Sequence, residues 1–165
     1  MKKYKWVYLF FAILLPILLT FFLKYFGKSE FNIPVYYEAG IKPDTLSATC
    51  RYQYAAPYKI ADSVIRNLSS KNASKAIIIT IDSTTETKKN FERIDEELVS
   101  REYDFVVLKN DSSFDRLKSC IFFLEKPWTT MLIDNQNRIR GYYAPATREE
   151  TDRLIVELKI LLKKY

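Results

Sequence analysis

Cysteine and histidine decide which chemistries are open to this chain. It has two cysteines, Cys50 and Cys120, and no histidine. Without imidazole there is no Ser/His/Asp or Cys/His nucleophile set and no histidine-bearing metal site. Only three glycines are present, and no glycine-rich phosphate loop of the P-loop or dinucleotide type exists. The cysteines lie about 70 residues apart and form no Cys-x-x-Cys pair. An even count in an exported domain suits a structural disulfide. Two free buried thiols, or a pair with redox or metal chemistry, are the alternatives, and Lys118 beside Cys120 is the one hint of a lowered thiol pKa. Asp82, Glu86, Asp95 and Glu96 could be imagined around a hard cation, but charged residues along a helix are also its wet face. Asn67, Asn72 and Asn110 each begin an N-x-S sequon, which matters only if the chain is exported in a glycosylating cell.

The net charge of +6 raises the question of nucleic acid. Five of those charges are lysines in residues 1–28, which contain no acid. Elsewhere Lys and Arg alternate with Asp and Glu, so the basic stripe that binds phosphates is missing and nucleic-acid binding is excluded. The charge belongs to the N-terminus. There, residues 6–23, from Trp6 to Leu23, carry no charge and would span roughly 27 Å as a helix, close to a bilayer core. Tyr4, Trp6, Tyr25 and Phe26 flank the run as an aromatic belt would. No small-residue cleavage site follows, which favours an uncleaved anchor over a signal peptide. Lysines ahead of it favour a cytoplasmic N-terminus. The expected organisation is a signal anchor at 1–28, an extended linker at 29–50 in which "NIPVYY" could pair as an edge strand, and a domain at 51–165.

Within the domain, "KAIIITID" (75–82) reads as a central strand buried on both faces. Phe91, Ile94, Leu98 and Val99 then mark the inner face of a helix capped by Thr84 or Thr85. "YDFVVLKN" (103–110) is a second strand, and Phe114, Leu117 and Ile121 line a short helix. "TTMLID" and "RIRGYY" form a hairpin about a "DNQN" turn. Thr147 and Glu150 fit a capping box, and Leu154, Leu158, Leu161 and Leu162 share one face of a last helix. Residues 51–74 are ambiguous between a helix and a strand with a turn. The order predicts an α/β fold, a mixed sheet flanked by helices in the thioredoxin-like arrangement, preceded by the transmembrane helix.

These residues carry a family resemblance. "LIDNQNRIRGYY" (132–143) with "REETDRLIVELKILL" (148–162) is similar to the C-terminal end of the SCO/SenC proteins, membrane-anchored copper chaperones of cytochrome oxidase assembly. "VVLKNDSSFDRL" and "YKIADSVI" resemble earlier parts of that family more loosely. The resemblance implies a Cys-x3-Cys pair after the central strand and one distant histidine. Here Ser83 and Thr87 stand at the cysteine positions and Lys126 or Pro127 near the histidine's place. Hydroxyls and an amine do not replace thiolates and imidazole for Cu(I), so no cofactor is expected. Pro127 resembles the cis-proline of thioredoxin folds, with a trans loop proline as the alternative. Trp128 is either a docking residue or packed inward beside Phe122 or Phe123.

The resemblance therefore implies a degenerate, non-catalytic member of that branch. It would be a single-pass protein of the inner (cytoplasmic) membrane with its domain on the periplasmic or outer side. Its partners would be the bilayer and a protein of oxidase assembly, with no small-molecule substrate. The alternatives are a thiol–disulfide oxidoreductase working through Cys50 and Cys120, and an unrelated envelope interaction module.

Overall fold

The computed structural model describes residues 5–26, 32–42, 50, 54–69, 74–98 and 102–164. The chain forms two compact units, Met1–Asn32 and Ile33–Tyr165. Among the described residues the first contains one helix, α1 (Lys5–Phe26), which continues through Pro16. Its side chains at 5–7, 9 and 26 lie outside the described residues, which shortens the apolar stretch. Among the described residues no helix is long and apolar enough to cross a membrane.

The second unit is a mixed α/β body. After α2 (Asp62–Leu68) come β1 (Ala76–Thr80), α3 (Thr85–Glu97) and β2 (Tyr103–Val107). Then follow α4 (Phe114–Arg116), which runs on as a π-helical turn over Leu117–Ile121, β3 (Thr130–Asp134), β4 (Ile139–Tyr143) and α5 (Arg148–Lys164). The four strands lie in the order β2-β1-β3-β4. β1 and β2 are parallel, with Ile78 beside Phe105. β3 runs antiparallel to both β1 and β4.

β1 alternates its side chains between two cores, as a two-side-buried strand must. Ala76 and Ile78 face Ile94 of α3, Leu98 at its C-terminal cap, and Leu154, Leu158 and Leu161 of α5. Ile77 and Ile79 face Leu108, Phe122, Leu124 and Met131 on the other side, where α2 and the π turn pack. The expected inner faces of α3, the short helix and α5 are thus found at Phe91, Ile94 and Leu98, at Phe114, Leu117 and Ile121, and at all four leucines. Val99 lies outside the described residues, as does Asn72.

The hairpin turn is held by one side chain. Asp134 Oδ1 accepts from the N–H groups of Gln136 (2.9 Å) and Arg138 (3.0 Å), and Asn137 takes a φ of 59°. This is Asx-turn chemistry with asparagine in the left-handed region. Gly141 on β4 is required by a close approach. A Cβ there would stand 2.3 Å from the hydroxyl of Tyr143, whose ring lies over it and donates to Glu157 of α5.

Residues 51–74 resolve toward the helical alternative, since α2 occupies 62–68. The stretch expected as a free linker differs over its described part. Ile33 is buried in the first core, and Tyr36 donates its N–H to Ile139 O on the edge of β4 at 2.9 Å. No strand forms beyond that bond. Pro34 has no N–H to give, and Tyr37, at a φ of 58°, turns the chain away.

Cys50 and Cys120 are joined by a disulfide, with Cα atoms 5.4 Å apart. It closes a loop of 70 residues. Replacing both cysteines by alanine is expected to lower stability by about 4 kcal/mol on the loop-entropy account. Chemical denaturation with and without reductant measures this; an unchanged midpoint would contradict it.

Candidate functional site

The C-terminal end of β1 and the N-terminal end of β3 bring two loops together. Ile81 donates to Thr129 O at 2.9 Å, and the Thr130 hydroxyl donates to the Thr80 hydroxyl at 2.9 Å. One loop is Asp82–Thr84, leading into α3. The other is Glu125–Thr129, turned by the Trp128 N–H bonding Glu125 O at 2.9 Å.

Ser83 is exposed in the first loop. Thr84 is the helix cap, its hydroxyl accepting the Thr87 N–H at 3.4 Å. The capping requirement explains this local structure, because the first N–H groups of a helix have no partner within it. Thr87, one turn on, is fully buried and donates its hydroxyl to Asp82 Oδ2 at 2.8 Å. Asp82 Oδ1 takes the Thr84 N–H at 2.9 Å. Burial pushes the Asp82 carboxyl up, but the hydrogen bonds from Thr84 and Thr87 outweigh it and hold the carboxyl below the usual range.

Ser83 thus precedes the cap of α3 and Thr87 lies in its first turn, with the Thr87 N–H and hydroxyl both engaged at the N-terminal end of the helix. Lys126 is exposed in the facing loop. The Lys126–Pro127 peptide bond is cis. The donor set at these positions consists of hydroxyls and an ammonium, with the Thr87 hydroxyl already spent on Asp82, and it does not fit Cu(I). Among the described residues no group of three or more His, Cys, Asp or Glu is arranged to hold a metal. Asp82, Glu86, Asp95 and Glu96 do not converge in this way; Asp95 instead accepts from the Tyr103 hydroxyl.

Trp128 is 36% exposed. The Arg153 guanidinium of α5 lies 5.8 Å from its ring and 4.7 Å from that of Tyr143. Arg153 also donates to Tyr142 O and, at 2.8 Å, to Glu150. It is thus fixed between two aromatic faces, a favourable cation–π setting. Sequence reasoning missed Arg153, because in the last helix it reads as one of many wet-face charges. Glu150 itself is diverted from the capping box. Its N–H still bonds the Thr147 hydroxyl at 3.4 Å, but its carboxylate takes the Ala144 N–H and Arg153.

The disulfide lies elsewhere. Cys120 is 4% exposed within the π turn, whose neighbouring Leu117, Ile121 and Phe122 pack in the second core, whereas Thr87 belongs to α3 on the opposite face of the sheet. Reactive cysteines sit in accessible, electropositive surroundings, and this sulfur does not. The nearby Lys118 ammonium lies over the Phe114 ring instead, 5.9 Å from its centroid.

Compared with known proteins, the chain matches no family model and no curated sequence.

The Asp82–Thr87 bond makes a pH-dependent prediction. A carboxyl held below its unfolded value near 3.9 stabilises the fold above that pH and loses the contribution as pH falls through the lowered value. Thr87→Val keeps the shape and removes the donor. Because Asp82 is partly exposed and water screens it, the expected cost at pH 7 is about 1 kcal/mol. The difference between variant and parent is expected to shrink as pH falls through that lowered value in the same denaturation series; a difference independent of pH would refute the assignment.

Proposed function

We propose that this chain is a membrane-tethered, thioredoxin-like protein of the SCO/SenC branch that has lost its copper centre. It acts, on this reading, by binding a protein partner in cytochrome oxidase assembly. The observation that carries it is the pair of facing loops. In the family resembled, these loops hold the metal and meet the partner. Here two loops stand together at the ends of β1 and β3, while Ser83, Thr87 and Lys126, which the resemblance sets at the ligand positions, bear hydroxyls and an amine. What remains at that face is a binding surface with a half-exposed tryptophan beside a fixed arginine. Trp and Arg are the residues most enriched among interface hot spots.

The strand order and directions support the thioredoxin-like reading, with two parallel first strands followed by an antiparallel hairpin and a closing helix. Features of α1 support the tether. Its 22 residues rise about 33 Å at 1.5 Å each, against a hydrocarbon core of about 30 Å. Leu, Ile and Phe are exposed on every side of it, where a surface helix would carry a polar face. The hydroxyl of Thr20 is satisfied within the helix, with Oγ1 donating to the carbonyls of Pro16 and Ile17, both at 2.8 Å. Hydrocarbon demands such internal pairing. The lysines ahead of α1 favour a cytoplasmic N-terminus and so a body on the outer side of the membrane in this reading.

Two measurements test it. A C-terminal reporter active only outside the cytoplasm is expected to be active and membrane-bound; a cytoplasmic signal would end the anchored reading. Trp128→Ala is expected to change stability by less than about 1 kcal/mol, as partly exposed positions do. The same variant is expected to abolish co-purification with oxidase-assembly proteins. Retained co-purification would remove Trp128 from the interface, and a loss of about 3–5 kcal/mol would mark it as core.

A further inference from the structure

Beside the Asp82–Ser83 loop, between α3 and the sheet, lies a cavity of about 270 Å³. Its floor is Ile78 and Ile94, both buried, and its wall is the ring pair Phe91 and Phe105, whose centroids are 4.5 Å apart. It opens along β2, where Phe105 and Val107 are 39% and 44% exposed. β2 is an outer strand of the four-stranded sheet. Among the described residues that line it, Asp82, Glu92 and Asp95 stand around the mouth against one opposing ammonium, that of Lys88.

We infer that this cavity receives an aromatic or aliphatic side chain from a basic segment of a protein partner. The inference extends the docking reading above from the loops to the hollow beside them. Three observations select this occupant. Sites that engulf a whole ligand run to roughly 300–1,000 Å³, and this one is smaller and open on one side, so it matches a single anchoring side chain. The rim carries a net negative charge, which complements lysine or arginine on either side of the anchor and speeds encounter with such a segment. The mouth is continuous with Asp82 and Ser83, which belong to the proposed docking loop. An apolar anchor seated in a preformed pocket with charged neighbours outside it is the usual anatomy of an interface hot spot. Asp82 is already fixed as an anion by Thr84 and Thr87, so the charge on that side of the rim costs nothing to organise when the partner arrives.

The test uses the full chain, isotope-labelled, in non-ionic detergent micelles, titrated with the capped tripeptide Arg-Trp-Arg and followed by amide NMR. Saturable shifts are expected at Phe91, Phe105 and Val107. The capped peptides Glu-Trp-Glu and Arg-Ala-Arg are each expected to bind at least about tenfold more weakly, since each lacks one of the two complementary elements. Glu92→Lys, an exposed rim change that leaves the core untouched, is expected to weaken Arg-Trp-Arg by about fivefold while improving Glu-Trp-Glu. Equal binding of the three peptides, or shifts centred elsewhere, would overturn the inference. Absence of saturation up to about 10 mM, a level at which even a free energy near 3 kcal/mol would register, would do the same. Tryptamine binding as tightly as the peptide would make the site a small-molecule pocket and overturn it too. So would shifts at the same amides on simple dilution, which would identify a second copy as occupant. None of these arms involves a membrane or an oxidase protein, so failure here leaves the anchored docking reading standing, and the reverse also holds.

Discussion

Three tyrosine hydroxyls donate to three consecutive backbone carbonyls at the end of the π turn. Tyr54 bonds Cys120 O at 2.8 Å, Tyr58 bonds Ile121 O at 2.7 Å and Tyr142 bonds Phe122 O at 2.8 Å. The last carbonyls of any helix lack partners within it, and buried ones must find them elsewhere. Here the partners come from the segment before α2 and from β4, so satisfying one helix end fastens three distant parts of the chain together. Burial raises the Tyr58 and Tyr142 hydroxyls well above their ordinary value, first by desolvation and then by neighbouring tyrosines. They therefore stay protonated and stay donors. The rings of Tyr37, Tyr54, Tyr58 and Phe123 meet edge to face around the same point, with centroids 5.2–6.2 Å apart. Such contacts add to what simple burial provides. The disulfide joins the same turn through Cys120, so its covalent constraint acts on a place already held by hydrogen bonds.

On the far edge of the sheet, polarity is handled differently. Asp134 is buried and serves the hairpin turn, but it also meets Arg138 at 2.7 Å and the buried Arg140 at 3.6 Å. Two cations around one carboxylate leave the Arg140 Nε without a hydrogen-bond partner. An ion cluster of this kind adds little net stability, because taking the charges out of water is costly.

Much of the body was legible in the sequence for specific reasons. "AIIIT" could only be a two-side-buried strand, and the leucines of α5 recur at helical spacing with no polar intrusion. The loop positions Ser83 and Thr87 were legible because the strand before them fixes the register and Thr84 supplies the cap. Other elements were hidden. α2 was only half legible: Val64, Ile65 and Leu68 recur at helical spacing and pack against the second core, but none is fully buried and the helix is only seven residues long. Residues 33–41 fold back onto β4 through Tyr37 in the left-handed region, a conformation that tyrosine does not advertise. Phe123 takes the same region just after the π turn. The position of Trp128 depended on Arg153, 25 places along, and no local pattern encodes a ring and a guanidinium meeting across that gap. The cavity beside α3 depends on Phe91 leaning on Phe105 rather than filling the space, which is a matter of packing and not of residue type.

The sulfur link between Cys50 and Cys120 also fixes how the body would carry load. A tension applied through the chain from both sides enters at Cys50, crosses to Cys120 and leaves through β3, β4 and α5. The β1, α3 and β2 segments lie inside the closed ring and are bypassed. Stretching can unravel the hairpin and the last helix, but the ring's 70 residues, worth roughly 240 Å of extended chain, stay out of reach until the bond is reduced. The half of the sheet that carries Ser83, Thr87 and the cavity is thus mechanically shielded, and the half that carries Trp128 and Arg153 is the part that yields.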